Sequence, residues 1–493
     1  MNLSNEVCER ARISRDPRFD GLFFIGVKTT GIYCRPVCKV RLPLSKNIDF
    51  YRSAAAAAEA GFRPCLRCRP ETAPGTPAWS GTQAVVNRAL RLIGEGALDS
   101  ASVDALAERL GMTDRHLRRL FMEHLGASPK AIAQTRRMHF AKSLLDNSNL
   151  SIIDIALAAG YGSVRRFNDH FKASYGKSPR EIRGKKGLEK SAELTFYLGY
   201  RPPYNWKFML EFLNKRAISG IEWIADDAYL RVFQLGGELG WLQVKNLPDQ
   251  NRLVCRVSYP KVTSLGLVKE KIKRIFDIDA NPSEIALSLS NDKLMKNVLD
   301  RNGYLPVPGC WDPFEVSVRA IVGQLVSVTG AITTMKTLVK EYGEKVNVDL
   351  PLTSLADSPE ASDVYLFPKP EDLCDIDYQR VRLSRAKIKA IAGLAKAVVD
   401  GHIRFDLTMD SEELLEKLLG ITGIGPWTAG YIALRALREP DAFLSGDLVI
   451  RQVVSSLQKR TALISIKELE EESQEWRPWR AYALMQLWHE ANG

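Results

Sequence analysis

Between Leu414 and Gln452, apolar residues recur at helical spacing on both sides of Gly423-Ile424-Gly425. The stretch LLEKLLGITGIGPWTAGYIALRALREPDAFLSGDLVIRQ therefore predicts helix, tight turn, helix, loop and the start of another helix. Two glycines one residue apart let the backbone curl closely, and Pro426 suits the first position of the second helix, where its missing N–H costs nothing. Free N–H groups opening such a helix can face an anionic oxygen. Asp447 follows the small pair Ser445-Gly446, where the loop should re-enter a helix; on pattern alone it is an N-cap. Earlier in the chain, alternation in AELTFYLGY, YLRVFQLG and LVCRVSYP predicts strands between Leu194 and about Pro260, with PPYNWKFMLEFLNKRA a helix among them. From Pro282 onward the pattern is nearly all helical. Before all of this lies an internal repeat: SVDALAERLGMTDRHLRRLFMEHLGASP is answered by SIIDIALAAGYGSVRRFNDHFKASYGKSP. Each copy has an Ala (Ala107, Ala156), a turn Gly four residues on (Gly111, Gly160), and then a basic amphipathic helix whose Leu117 or Phe167 turns inward. The string TAPGTPAWSGT ahead of the repeat reads as a linker.

With 493 residues the chain is too long for one core and should form three or four domains. Hydrophobic residues at 45% make it globular, no apolar run is long enough for a bilayer, and the start MNLSNEVCERARISRD is too polar for a secretory signal. An intracellular, cytoplasmic protein is expected. The formal charge of +11 is uneven: residues 1–190 hold 32 Lys and Arg against 18 Asp and Glu, net +14, which leaves 37 against 40, net −3, for the rest. The front of the chain is thus an electrostatic anchor for a polyanion, whereas the remainder carries no such excess of positive charge. Cys34, Cys38, Cys65 and Cys68 cluster as C-x3-C, a gap of 26, and C-x2-C, whereas Cys8, Cys255, Cys310 and Cys374 are isolated and carry no evident role. In an intracellular chain that cluster means a metal before it means disulfides, and four thiolates in two close pairs suit one tetrahedral zinc ion.

The words around the cysteines, FFIGVKTTGIYCRPVC and AGFRPCLRC, closely resemble the N-terminal domain of Ada, the bacterial methyl-phosphotriester sensor. The resemblance implies that Cys34 takes a methyl group from a DNA phosphotriester, and that Thr30, Arg41, Arg63 and a further basic position contact DNA. Lys39 stands at that last position where an arginine is usual, keeping the charge but losing the bidentate fork. Zinc keeps a thiol deprotonated, and the thiolate is the nucleophile for displacement at a methyl carbon. Four thiolates around a dication leave −2, so methylating Cys34 removes one negative charge and should raise affinity for DNA. A purely structural zinc staple is the other reading.

The repeat resembles the paired helix-turn-helix domain of AraC-type regulators. That resemblance places groove-reading helices near Thr113–His124 and Ser163–Tyr175, with Arg115, Arg118, Arg119, Arg165, Arg166 and Lys172 as phosphate and base contacts. His116, His124 and His170 lack metal spacing and read as surface or packing residues.

From about Leu194 to the end, GITGIGPWTAGYIALRA, then DAFLSGDLVIRQ, then RPWRAYALMQLWHE resemble the helix-hairpin-helix DNA glycosylases, most closely the AlkA type of 3-methyladenine DNA glycosylase II. The resemblance implies that Gly423 and Gly425 hold the DNA backbone, that Asp447 is the catalytic aspartate, and that Trp427, Tyr431 and Trp488 form the base pocket. It further makes Leu325 of GQLVSV the wedge that fills the hole left by an everted base, and it implies a monovalent cation at the carbonyls of Leu419, Ile421 and Gly423. Alkylated purines carry positive charge, which electron-rich rings attract by about 0.5 to 2 kcal/mol each. Core packing is the plain alternative for each of these apolar side chains. Trp427 occupies the place where strand-cutting relatives carry a Schiff-base lysine, so strand cleavage is not expected. No cysteine follows Cys374 for a C-terminal iron-sulfur cluster, and no Pro-Cys-His-Arg motif for O6-methylguanine repair is present.

The expectation is a multidomain, mainly α protein: a small zinc domain (1–75), a paired helix-turn-helix domain (80–186), a small mixed α/β domain (191–282) and an all-α helix-hairpin-helix glycosylase domain (283–493). Its expected partners are double-stranded DNA, both alkylated and at promoters, and RNA polymerase; it is expected as a nucleoid-associated monomer with no membrane contact. The rival from another class is a regulator whose C-terminal half binds DNA without excising bases.

Overall fold

A computed structural model describes residues 3–75, 83–184, 193–351, 363–377, 379–405, 409 and 411–491. Residues 76–82 of the expected linker, and the expected boundaries at 80, 186 and 191, lie outside the described residues. The chain is mainly helical and divides into two compact units. No described helix is long and apolar enough to cross a membrane.

The first unit comprises Met1–Pro203, Val244–Lys273 and Ile278–Asn281. It opens with four short strands: β1 (Phe24–Val27), β2 (Ile32–Cys34), β3 (Ile48–Tyr51) and β4 (Arg63–Pro64), in the order β3-β1-β2-β4. Alternate side chains serve opposite faces. Phe23 and Ile25 join Cys8, Ala11 and Ile48 in one small core, while Phe24 and Tyr33 join Ala54 and Ala57 in another. So small a sheet has little to hold it, and β2 ends on Cys34, opposite Ile25.

The repeat folds as two helix-turn-helix units. α1 (Val103–Arg109) turns at Gly111 (φ +70°) into α2 (Asp114–Leu125), and α4 (Ile152–Ala158) turns at Gly160 (φ +79°) into α5 (Val164–Tyr175). Thr113 and Ser163 are the N-caps of α2 and α5, which fixes where each helix begins. Leu117 and Phe167 are fully buried, as their inward positions predict. Between the two units runs α3 (Pro129–Asn147), started by the Ser128 cap and Pro129.

Residues beside two of the clustered cysteines lean on α3. Tyr33 Oη lies 2.9 Å from His139 Nε2, and Arg69 reaches Asp146 at 2.6 Å, where buried Lys142 also pairs at 2.5 Å. Burial holds the His139 imidazole down to about 3 from an ordinary 6.5. The native state therefore requires a neutral ring: the stability it contributes is complete above pH 6.5 and is lost as pH falls from there toward 3. His139→Gln should remove that share of the acid sensitivity, so that the gap between variant and parent melting temperatures closes as pH drops through this window. A gap that stays constant across the window would show that His139 does not titrate there. The unit also contains the seven-residue antiparallel pair Glu193–Gly199 with Arg252–Ser258, two of the strands expected from alternation.

The second unit comprises Tyr204–Gln243, Arg274–Asp277 and Pro282–Gly493. Helix Trp206–Asn214 and the strand Ala228–Leu235 fall where the pattern placed a helix and a strand; the strand Glu222–Ala225, paired antiparallel with the latter, lies outside the stretches that alternation marked. Beyond the strand that begins at Glu238, the described residues are largely helical: α6 (Pro313–Val322), α7 (Val328–Tyr342), α8 (Arg385–Val399), α9 (Ser411–Leu419), α10 (Pro426–Ile432), α11 (Leu448–Leu457) and α12 (Arg480–Glu490) are the elements that build the site. One core joins α6, α8, α9 and α10 through residues such as Val318, Ile321, Leu394, Leu418 and Ile432. The nearly all-helical pattern is interrupted by a pair of two-residue strands, Lys345–Val346 with Val364–Tyr365, too short to leave a periodicity in the sequence.

Candidate functional site

The glycine turn between α9 and α10 uses its two glycines differently. Gly423 has φ +93°, and a Cβ there would sit 2.9 Å from the Ala390 Cβ of α8, so both conformation and space demand glycine. Gly425 has φ −98° and open space around it. No side chain caps α10 at Gly425, so the first amides of that helix keep their hydrogens free of a side-chain acceptor. The chain's own packing therefore asks for glycine at 423 and not at 425.

Asp447 is 8% exposed and does two things at once. Its Oδ1 accepts from Ile450 N at 3.0 Å as the N-cap of α11, and its Oδ2 accepts from Trp427 Nε1 at 2.7 Å. The bland role and the chemical one are thus compatible, because a carboxylate has two oxygens. Trp427 and Tyr431, one turn apart on α10, stack with centroids 5.5 Å apart and planes 17° apart, and Trp488 of α12 lies 6.2 Å from Tyr431 at 50°. Leu325, Gln324, Trp427, Tyr431, Asp447 and Trp488 line one cavity of about 1000 Å3. Leu325 stands between α6 and α7, fully exposed, with φ +55°. A leucine in left-handed backbone costs about 1 to 2 kcal/mol, and exposing its side chain recovers none of it. The three aromatic residues expected at the pocket, and Leu325 expected as the wedge, therefore line one cavity with Asp447.

Residues that the sequence did not single out hold this wall in position. Arg435 Nη1 donates to the Tyr431 hydroxyl at 2.8 Å, while its Nε and Nη2 donate to the carbonyls of Pro308 and Gly309. Burial pushes the Tyr431 phenol up, but the guanidinium charges of Arg435 and Arg216 outweigh it and hold the phenol below its usual range. The i, i+4 spacing of Tyr431 and Arg435 was the available signal. Gln324 donates from Nε2 to Gly423 O at 2.9 Å and to Thr428 Oγ1 at 2.8 Å. Cys310, isolated in the sequence, also lines the cavity. Deeper, Glu222 accepts from Tyr229 (2.7 Å), Arg231 (2.7 Å) and Arg319 (2.9 Å), and Arg319 also pairs with Glu315. Burial would raise Glu222, yet Arg319 and Arg231 keep its carboxyl at about 2.

In the first unit the Sγ atoms of Cys34, Cys38, Cys65 and Cys68 all lie within 4.8 Å of one another. Cys34, Cys38 and Cys65 are buried and Cys68 is half-buried. Four soft donors converging on one point, none of them in a disulfide, fit a tetrahedral zinc ion. Arg35, next to Cys34, donates its backbone N–H to Cys68 Sγ at 3.4 Å and ties its side chain to Asp20, Cys68 O and Thr72.

The expected DNA contacts Thr30, Lys39, Arg41 and Arg63 are all exposed. So are Arg115, Arg118, Arg119, Arg165, Arg166 and Lys172 on α2 and α5. Arg118 is partly engaged, since Asp114 one turn back accepts from its Nε at 2.8 Å. Of the histidines on these helices, His170 packs against Tyr161 with a 2.7 Å hydrogen bond.

Comparison with known proteins matches this layout in order along the chain. Residues 7–71 match the metal binding domain of Ada, residues 106–185 a helix-turn-helix domain, and residues 195–312 the AlkA N-terminal domain. The chain is 33% identical over 303 residues to DNA-3-methyladenine glycosylase 2 of Escherichia coli, covering 60% of this chain and 96% of that one. The fold of the 3-methyladenine DNA-glycosylase from Archaeoglobus fulgidus covers 60% of this chain and 98% of its own, with a TM-score of 0.51 at 20% identity. The probable bifunctional transcriptional activator/DNA repair enzyme AlkA of Mycobacterium tuberculosis is 34% identical over 493 residues, spanning 98% of this chain and 96% of the relative. Matched over nearly its whole length, the chain belongs to the family of bifunctional transcriptional activator/DNA repair enzymes AlkA.

Proposed function

We infer that this protein repairs and senses alkylation damage in DNA. It is a DNA glycosylase that hydrolyses the N-glycosidic bond of alkylated purines such as 3-methyladenine and 7-methylguanine, joined to a zinc-bearing methyl-acceptor domain and a helix-turn-helix transcription regulator. The observation that carries the reading is the 2.7 Å bond between Trp427 and the buried Asp447, which sets a carboxylate against an aromatic wall inside one cavity.

A base can enter only after leaving the stack. Leu325, exposed and braced in strained backbone, takes its place in the duplex. The faces of Trp427, Tyr431 and Trp488 hold the cationic base, which is already a good leaving group and needs no general acid. Asp447 then stabilises the sugar cation as the C–N bond breaks or takes the proton of the attacking water. Gly425 and the uncapped start of α10 lie against a phosphate, with Gly423 shaping the turn. The carbonyls of Leu419, Ile421 and Gly423 are the groups that would hold a monovalent cation, which would stiffen the turn; Gly423 O and Ile421 O each accept one hydrogen bond.

In the front half, Cys34, Cys38, Cys65 and Cys68 hold zinc, which keeps the thiols deprotonated. The Cys34 thiolate attacks the methyl carbon of a phosphotriester, forming C–S as C–O breaks and releasing the phosphodiester. Thr30, Lys39, Arg41 and Arg63 hold that backbone, and α2 and α5 read promoter DNA. The domain limits 1–75, 80–186, 191–282 and 283–493, contact with RNA polymerase, a monomeric state and a place on the cytoplasmic nucleoid complete the proposal.

The test is to incubate the intact chain with a duplex carrying one 7-methylguanine. Free 7-methylguanine should appear, and the strand should break only after alkali. A duplex that is bound but releases no base would leave the non-excising regulator as the correct account, with Asp447 serving only as a helix cap.

A further inference from the structure

The wedge loop draws little support from its own backbone: Gly323 N donates to Arg319 O and Gln324 N to Ile321 O, and both bonds lie ahead of Leu325. α6 ends at Val322, Ser327 caps α7, and the residues between carry an exposed leucine at φ +55°. What holds them is Lys387, which comes from α8. Its Nζ donates to Val322 O at 2.8 Å and to Gln324 O at 2.7 Å, the two carbonyls that flank Gly323 immediately ahead of Leu325. Burial of the stem lowers the Lys387 ammonium below the usual lysine range, and no carboxylate offsets this. An ammonium that gives up part of its water to two carbonyls is placed there for those carbonyls. Gln324 carries the link onward through its side-chain bonds to Gly423 O and Thr428. A single chain of contacts thus runs from α8 through the wedge loop to the glycine turn and α10, the helix bearing Trp427 and Tyr431.

Resting on the base-release reading above, we propose that Lys387 is the positioning residue of the wedge: by clamping the Val322 and Gln324 carbonyls it fixes Leu325 in the conformation that enters the duplex, in register with the glycine turn. Lys387 touches neither base nor sugar. Its contribution belongs to the opening of the base stack, and only substrates whose stack must be opened should feel its loss.

The experiment compares single-turnover base release by the full chain on two duplexes, one with 7-methylguanine paired to cytosine and one with the same lesion opposite an abasic site. K387M should be slowed about tenfold or more on the paired duplex and less than about twofold on the other, the size expected for one coupled contact. K387R, which keeps two donors, should recover most of the paired-duplex rate. The double variant L325A/K387M should be no slower on the paired duplex than L325A, since both changes remove the same wedge. Should K387M melt early, K387Q carries the same comparison. Equal losses on the two duplexes, no loss at all, or additive losses in the double variant would each overturn the assignment. A parent protein that releases no base from either duplex would instead refute the base-release reading on which it rests.

Discussion

Asp447→Asn is expected to cut the single-turnover rate of base release by two to three orders of magnitude, about the cost of removing one preorganised electrostatic group from an active site. The substitution is informative because the two oxygens of Asp447 have separate duties. Oδ1 caps α11 through Ile450 N, and asparagine caps helices as well as aspartate does. Oδ2 accepts from Trp427 Nε1, and a side-chain amide turned to keep the cap would present N–H2 to that indole N–H. The fold should therefore survive, with a melting temperature close to the parent's, while the negative charge disappears. A rate unchanged within twofold would remove Asp447 from the chemistry, and a collapse in melting temperature alongside the rate would mark it as structural.

The second large effect is in the front half. With the parent protein, exposure to DNA bearing methyl phosphotriesters should add one methyl per chain, found by peptide mass spectrometry on Cys34; Cys34→Ser should add none. Cys68, the least buried of the four thiols, is the competing acceptor, and a methyl found there would overturn the assignment to Cys34. Removing the metal should do more than silence the chemistry. Structural zinc sites of this type carry about 10–16 kcal/mol of apparent binding free energy, far beyond what the two small cores flanking the sheet supply. Chelation is expected to unfold residues 3–75, read as rapid amide exchange across β1 to β4.

Much of this was legible from the chain because each part announces itself locally. Thr113 and Ser163 cap α2 and α5 where polar-to-apolar periodicity changes, and Gly111 and Gly160 take the positive φ that a turn of that length requires. The glycine turn was legible as a turn, but only three dimensions separate Gly423, demanded by the Ala390 Cβ, from Gly425, which nothing in the chain crowds. Asp447 could be read as a cap or as a catalyst; the structure shows the cap through Oδ1 and places Trp427 on the second oxygen. Arg435, Gln324 and Lys387 escaped notice for a common reason. Apart from the Tyr431 hydroxyl one turn before Arg435, their partners lie in distant parts of the sequence and are mostly backbone carbonyls, such as Pro308 for Arg435 and Val322 for Lys387, and a carbonyl carries no residue-type signal.

The central claim is that the Asp447 carboxylate faces the sugar cation that forms as an alkylated base departs. The most direct test is to bind the intact protein to two duplexes that differ at one nucleotide, one holding a cationic pyrrolidine analogue of the sugar and the other its neutral tetrahydrofuran counterpart. The account predicts that the parent binds the cationic duplex at least about tenfold more tightly, as a transition-state mimic should, and that the preference vanishes in Asp447→Asn. Equal affinity of the parent for both duplexes, or a preference that persists in the variant, would contradict it.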